Sequence, residues 1–194
     1  MSSLQVNEIG NTTSNSSIAL QTADGDISIN NARLYVESSG SGSKVGLGTS
    51  TPQSAFHVAT AGGIRLVSAP ILEKVNIVNG RANSTSNIDV LTSNVWYFDT
   101  DSNGNWTHNI RGDASNSLDS IMNVGESIVV TVISNESSGY SANINIDGAG
   151  QTEYWQGGSA PTEDGGGGFD VYTWNIIKLG AGNWRVLASF QNFA

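Results

Sequence analysis

Along the first third of the chain, apolar residues come in pairs two positions apart. Leu4/Val6, Ile18/Leu20, Ile27/Ile29, Leu34/Val36, Val45/Leu47, Phe56/Val58 and Ile64/Leu66 all have this spacing. A period of two predicts short strands of roughly three to five residues. Clusters of Gly, Asn, Ser and Asp, such as Ala23-Asp24-Gly25-Asp26 and residues 38–43, supply turn chemistry between them. A single pair buries too little to offset the ordering of its backbone, about 1–2 kcal/mol per residue. Residues 1–67 are therefore either a flexible linker with chance alternation or an arm whose copies wind around a shared axial core. We adopt the second reading.

Beyond residue 67 the apolar runs lengthen. Strands are expected at 71–78, 88–91, 95–99, 105–111, 127–134, 140–147, 169–179 and 184–190. In the sixth of these, Tyr140, Ala142, Ile144 and Ile146 share one face and Ser141, Asn143 and Asn145 the other, the pattern of a half-buried strand. The fifth is apolar on both faces, with Ile128, Val130 and Val132 on one and Val129, Thr131 and Ile133 on the other. Such a strand is central in its sheet, or lies between a core and a subunit interface. One helical turn is expected at 118–122. Of five Trp, five Tyr and five Phe, only Tyr35 and Phe56 precede residue 68. Aromatic rings bury the most area per residue, so residues 68–194 can build a core of their own and residues 1–67 cannot. The predicted fold class is all-β: an extended N-terminal β arm or shaft over 1–67, then a jelly-roll-like β-sandwich over 68–194.

The end of the chain is the most distinctive part. Tyr154-Trp155-Gln156-Gly157-Gly158-Ser159-Ala160-Pro161 precedes the acidic glycine loop 163–168, and Gly180-Ala181-Gly182-Asn183 separates the last two strands. This predicts a tight, Trp-anchored turn feeding a terminal β-hairpin. Trp155, Gly157, Gly158, Ala160, Pro161 and Trp184 match a W-x-G-G-x-A-P element followed by a Trp-containing final strand. The segment resembles the C-terminal domain of many bacteriophage fibre and virion-surface proteins, over roughly the last 70 residues; Gln156 stands where Pro is about as common. Upstream, Val45-Gly46-Leu47-Gly48-Thr49-Ser50-Thr51-Pro52 and Phe56-His57-Val58 resemble the V-G-I-G-T-x-x-P-x-x-x-L-H-V element of phage tail-fibre shafts and trimeric surface proteins. Leu4-Gln5-Val6-Asn7-Glu8-Ile9 looks like the short attachment segment of marine-phage fibre proteins.

Charge narrows the partners. Eight Lys+Arg against 17 Asp+Glu give a net charge of −9. A phosphate-binding surface needs concentrated positive charge, so neither nucleic acid nor an anionic membrane is an expected partner. The longest dense apolar run, 128–133, is far short of the ~20 residues of a membrane-spanning helix. The first eight residues carry neither a basic nor an apolar leader pattern, so no signal peptide is expected. There is no cysteine, which excludes a disulfide framework and fits assembly in a reducing compartment.

Candidate chemistry is sparse. Asp99-Thr100-Asp101-Ser102-Asn103-Gly104-Asn105 follows the start of a calcium loop, but Ile110 stands where the bidentate Glu belongs. A β-turn is the expectation there. His57 and His108 are the only histidines and lack zinc-site spacing. No nucleophile-elbow, metalloprotease or P-loop motif is present. Glu153, Glu163, Asp164 and Asp170 gather in sequence around Trp155; a glycosidase needs two carboxylates about 5–10 Å apart. Tyr154, Trp155, Glu163 and Asp164 are the candidate glycan contact; the competing reading has Trp155 plugging the end of the sandwich beside a mobile loop. The resemblance implies a virion protein, assembled in the host cytoplasm. It would be a short homotrimeric fibre or surface projection, attached through residues 1–67 to other virion proteins, with tail-fibre-like host attachment through a host surface glycan. A capsid head-decoration or head-fibre role and a free carbohydrate-binding module are the alternatives. No enzyme activity, cofactor or metal is expected.

Overall fold

The computed structural model describes residues 27–29, 34–37, 43–59, 64 and 71–194. The pairs Leu4/Val6 and Ile18/Leu20, the turns at 23–26 and 38–42, and the segment Leu4–Ile9 lie outside the described residues. The chain divides into two compact units, Met1–Pro70 and Ile71–Ala194. The protein is all-β.

Among the described residues of the first unit, four short strands form one sheet: β1 (Ile27–Ile29), β2 (Leu34–Glu37), β3 (Lys44–Leu47) and β4 (Phe56–Val58). The first three pair antiparallel in chain order, and β4 returns to pair parallel with β3. They contain the apolar pairs Ile27/Ile29, Leu34/Val36, Val45/Leu47 and Phe56/Val58, each just long enough for a few ladder bonds, while Leu66 of the last pair lies outside the described residues.

In the second unit the strands are β5 (Val75–Val78), β6 (Asn87–Asp89), β7 (Val95–Asn103), β8 (Thr107–Arg111), β9 (Ser127–Ser138), β10 (Asn143–Ile146), β11 (Ala149–Gly150), β12 (Glu153–Trp155), β13 (Phe169–Gly180) and β14 (Asn183–Phe193). A one-turn helix, α1 (Leu118–Ile121), lies between β8 and β9. Ser117 caps it by accepting a hydrogen bond from the Ser120 amide. A six-stranded sheet runs β12-β14-β13-β9-β7-β5, and a four-stranded one runs β11-β10-β8-β6.

The chain alternates between these sheets. It passes from β5 to β6, from β7 to β8 and from β9 to β10, and each new strand pairs parallel with its predecessor in the same sheet. Parallel neighbours need a crossover; here the crossover is a strand of the facing sheet. The result is a coil of three turns, closed on one side by the antiparallel β13–β14 hairpin. This corrects the jelly-roll expectation, in which strands pair antiparallel. Most of the turns between β5 and β10 are arcs between sheets and not hairpins within one.

Both sheets turn apolar residues onto one core. Trp96 and Phe98 of β7, Val130 and Val132 of β9, Tyr172, Trp174 and Ile176 of β13, and Val186 of β14 meet Ile88, Ile110, Ile144 and Ile146 of the smaller sheet. Tyr172 stacks on Trp174 with ring centroids 5.9 Å apart, and Trp106 meets Tyr172 edge-on at 5.4 Å. Lys178 continues the inner face of β13 and is almost fully buried. Its ammonium donates to the Asp119 and Met122 carbonyls and pairs with the Asp119 carboxylate at 2.9 Å, tying α1 to the sheet.

Two expectations need correction. Before Asn143 the chain is not a strand, and Ser141, expected to face out, is buried, with its amide donating to the Tyr172 hydroxyl. The expected strand over 71–78 shortens to β5, leaving Ile71 and Leu72 exposed.

His108 sits in this core against Phe98, with ring centroids 5.5 Å apart. Its Nε2 is 3.1 Å from the Ala82 carbonyl, to which it donates. Burial pulls its pKa down from 6.5 to about 4, against the opposing effect of that hydrogen bond. The unfolded chain therefore binds one more proton than the folded one between about pH 6.5 and 4, and folding stability falls as pH drops through that window. The slope reaches about 1.4 kcal/mol per pH unit. Denaturant titrations at pH 7 and 4.5 should show this loss in the wild type and a smaller one in His108→Gln, which keeps a donor for Ala82.

Candidate functional site

Tyr154 and Trp155 were expected in a turn; they form an edge strand instead. β12 lies parallel to β14, with Tyr154 opposite Leu187 and Trp155 opposite Ala188. Only the edge of the terminal hairpin offers these three residues ladder partners, so the turn begins one residue later, at Gln156. Gly157 and Gly158 there have φ of 82° and 90°, a region open to glycine at little cost.

Alternation along β12 gives its two rings different surroundings. Trp155 is half-buried and packs against the core. Tyr154 is 53% exposed, and the Arg185 guanidinium lies 4.7 Å from its ring centroid. Tyr154, Trp155 and Gln156 line a shallow, mainly apolar groove with Thr173, Asn175 and Leu187. The Asn175 Oδ1 atom is buried without a hydrogen-bond partner. An exposed ring beside amide and hydroxyl groups is the chemistry that takes a sugar face. Arg185, Thr173 and Asn175 were not anticipated, because only the parallel docking of β12 brings them to Tyr154.

Glu163 and Asp164 do not join this groove. The loop 163–168 packs at the mouth of the hairpin, where Asp170 and Asn192 face each other across the ladder. The Asp170 carboxylate accepts from the Gly165 amide and the Asn192 side chain; Asn192 also donates to the Gly167 carbonyl, and Asp164 accepts from the Gly166 amide. A Cβ at Gly165 or Gly168 would overlap Asn192 or the Phe193 carbonyl, and Gly166, Gly167 and Gly168 all have positive φ. The loop expected to be mobile is stitched down by these bonds. From Ala188, opposite Trp155, to Asn192 is about 13 Å along the strand.

The carboxylates do not converge either. Glu153 is opposite Val186 and accepts from the Ile144 amide at 2.6 Å, closing the edge of the smaller sheet. It lies about 20 Å along the sheet from Asp170. Burial raises the pKa of both Glu153 and Asp170, against their hydrogen bonds. Asp170 is fully buried with both oxygens engaged, so it presents no face to a substrate.

Of the calcium-loop residues, Asp99 to Asn103 lie in β7 and not in the β-turn expected of them; Gly104 and Asn105 form the bend before β8. Asp99 accepts from the Gly80 amide, Asn103 accepts from Asn83, and Ser102 points inward against Ser134 at 3.2 Å. Strand alternation sends these side chains to opposite faces. Among the described residues, no group of three or more His, Asp or Glu is placed to hold a metal ion.

The shaft-like element of the first unit has a clear geometry. β3 and β4 pair parallel, and the Val45 amide donates to the Ala55 carbonyl and the Ala59 amide to the Leu47 carbonyl. A Cβ at Gly46 would stand 2.5 Å from the Thr49 carbonyl oxygen, and Gly48 has φ of 78°. Pro52 is buried, the Thr49 hydroxyl accepts from the Thr51 amide, and His57 Nδ1 accepts from the Gln53 amide at 3.2 Å. His57 is thus a brace for the loop.

No protein-family model, curated protein or solved structure matches the chain.

Two outcomes follow from this geometry. Trp155→Ala should lower unfolding stability by about 2–3 kcal/mol, less than a fully buried Trp costs. Tyr154→Ala should cost under about 1 kcal/mol, the worth of its cation–π contact; denaturant midpoints of the two variants check the split. Chelation should leave the melting temperature unchanged, and a fall of several degrees that added calcium restores would contradict the placement of Asp99 and Asn103.

Proposed function

We propose that this chain is a structural protein of a bacteriophage particle: a short homotrimeric fibre or surface projection that serves host attachment. Residues 1–67 join it to other virion proteins, and the second unit is the exposed knob. One observation carries the reading. The two segments that resemble phage fibre elements are both closed structural motifs in which the matching residues have geometric tasks. In one, β12 docks on the terminal hairpin and the turn leaves through Gly157 and Gly158. In the other, Gly46, Gly48, Pro52 and His57 close the β3–β4 arc. On this reading the Tyr154 groove is the contact for a host-surface glycan, and no cofactor takes part.

Antibodies against the chain, imaged with gold on negatively stained particles, test the placement. Label on tail projections is the expected result. Label on the head moves the protein to a decoration role, and particles without label overturn the reading. Purified protein should also compete with phage for adsorption to host cells, and Tyr154→Ala should compete at least tenfold less well.

A further inference from the structure

The outward face of the six-stranded sheet is unusual for a chain this acidic. Pairing places Ile77, Tyr97, Ile133 and Val171 in one continuous row across four strands, with Val75 and Val95 side by side in the next. Each points away from the core, because its neighbours Val78, Trp96, Phe98, Val132 and Tyr172 point into it. Ile77 is 67% exposed. Thr131 and Thr173 extend the second row. Among the described residues, the acidic side chains on the outward face of these strands are Asp99 and Asp101, near the end of β7, although the chain carries 17 Asp+Glu.

We infer that this face, over β5, β7, β9 and β13, is where copies of the chain pack against one another. Charge selects that occupant. Two copies each carrying −9 repel, and they can meet closely only where neither presents carboxylates. A cationic partner would be drawn to the acidic surface elsewhere, not to this one. An apolar, uncharged face is complementary to itself without requiring any second chemistry. Its extent also suffices. Four strands at ~4.8 Å spacing and about 30 Å of length give on the order of 600 Å² per copy, which places a pair near the lower end of stable interfaces. β9 is apolar on both faces for this reason: one face builds the core and the other the contact. The Tyr154 groove adjoins this face at Thr173 and continues over β14 to β12. The inference rests on the reading of the protein as an assembly of copies, but its test does not use the particle.

The test is the mass of the full-length chain in solution, by light scattering coupled to size exclusion, for wild type, Ile77→Glu and Val75→Glu. Both positions are exposed, at 67% and 41%, so neither change disturbs the core. Unchanged tryptophan emission and far-ultraviolet circular dichroism confirm the fold of each variant. Wild type should be a multiple of the 20.3 kDa chain. Each glutamate should weaken association at least tenfold on dilution, and Ser120→Glu, on α1, should not. A wild-type monomer at 100 μM would overturn the inference, as would a multimer that both glutamates leave intact. Neither result bears on where gold label falls on the particle, so the two readings fail separately.

Discussion

Burial of the inner face of β13 is the interaction on which the second unit depends. Tyr172, Trp174 and Ile176 are fully buried in a row along one strand, and every other strand of the core packs against them or beside them. The Tyr172 ring meets Trp106, Trp174 and Phe190, and its hydroxyl accepts from the Ser141 amide. Because β13 is central between β14 and β9, it also sets the register of both neighbours over nearly its whole length. Loss of this row would remove partners from both sheets at once.

The winding of the chain follows from that core. With β5, β7 and β9 parallel in one sheet and β6, β8 and β10 parallel in the other, each passage between sheets delivers apolar residues to a common interior. Polar groups near the interior are then held by specific partners. Lys178 is braced by Asp119 and two carbonyls, and the Asp119 pKa is held down first by the Gly182 amide and then by Lys178. Asp147, at φ 50°, turns its carboxylate onto the Leu118 and Asp119 amides. Aspartate tolerates this left-handed conformation better than most residues, and the two amide bonds stabilise it. The helix, the hairpin and the coil are thereby joined through charges that would otherwise be costly so near the core.

The same arrangement sets two regions side by side on the outer face of the larger sheet. A parallel coil leaves one over β5, β7 and β9, and the hairpin adds a second edged by β12, with Thr173 of β13 between them. The first is apolar, and the second carries an exposed ring, amides and hydroxyls. The glycine loop 163–168 belongs to neither. It closes the hairpin mouth around Asp170 and Asn192, which explains four consecutive glycines by space and φ rather than by ligand chemistry.

Much of this was legible in the residue pattern, for local reasons. Period-two alternation in β7, β9 and β13 marks inward and outward faces without reference to any partner, and a Gly-Ala-Gly-Asn run permits reversal between β13 and β14. All eight expected strands of the second unit exist, as does the single helical turn. Topology was not legible, because the same Gly and Asn residues serve a hairpin within a sheet and an arc between sheets; only the packing of Tyr172 and Trp174 against the facing sheet selects the arc. Nor was the end of β7 legible: Asp99 to Asn103 look like a turn, and continue as strand because β9 takes up Ser102 and Asn103 again beyond a register shift. The candidate site divides the same way. Tyr154 and Trp155 stand out by ring size alone, but three residues make no strand until β14 lies beside them. That contact sets Tyr154 against Arg185 and beside Thr173 and Asn175 in the groove, and the pairing of Asp170 with Asn192 holds the 163–168 loop at the hairpin mouth. Sequence determined which residues seek burial; the long-range ladder bonds decided which of them meet.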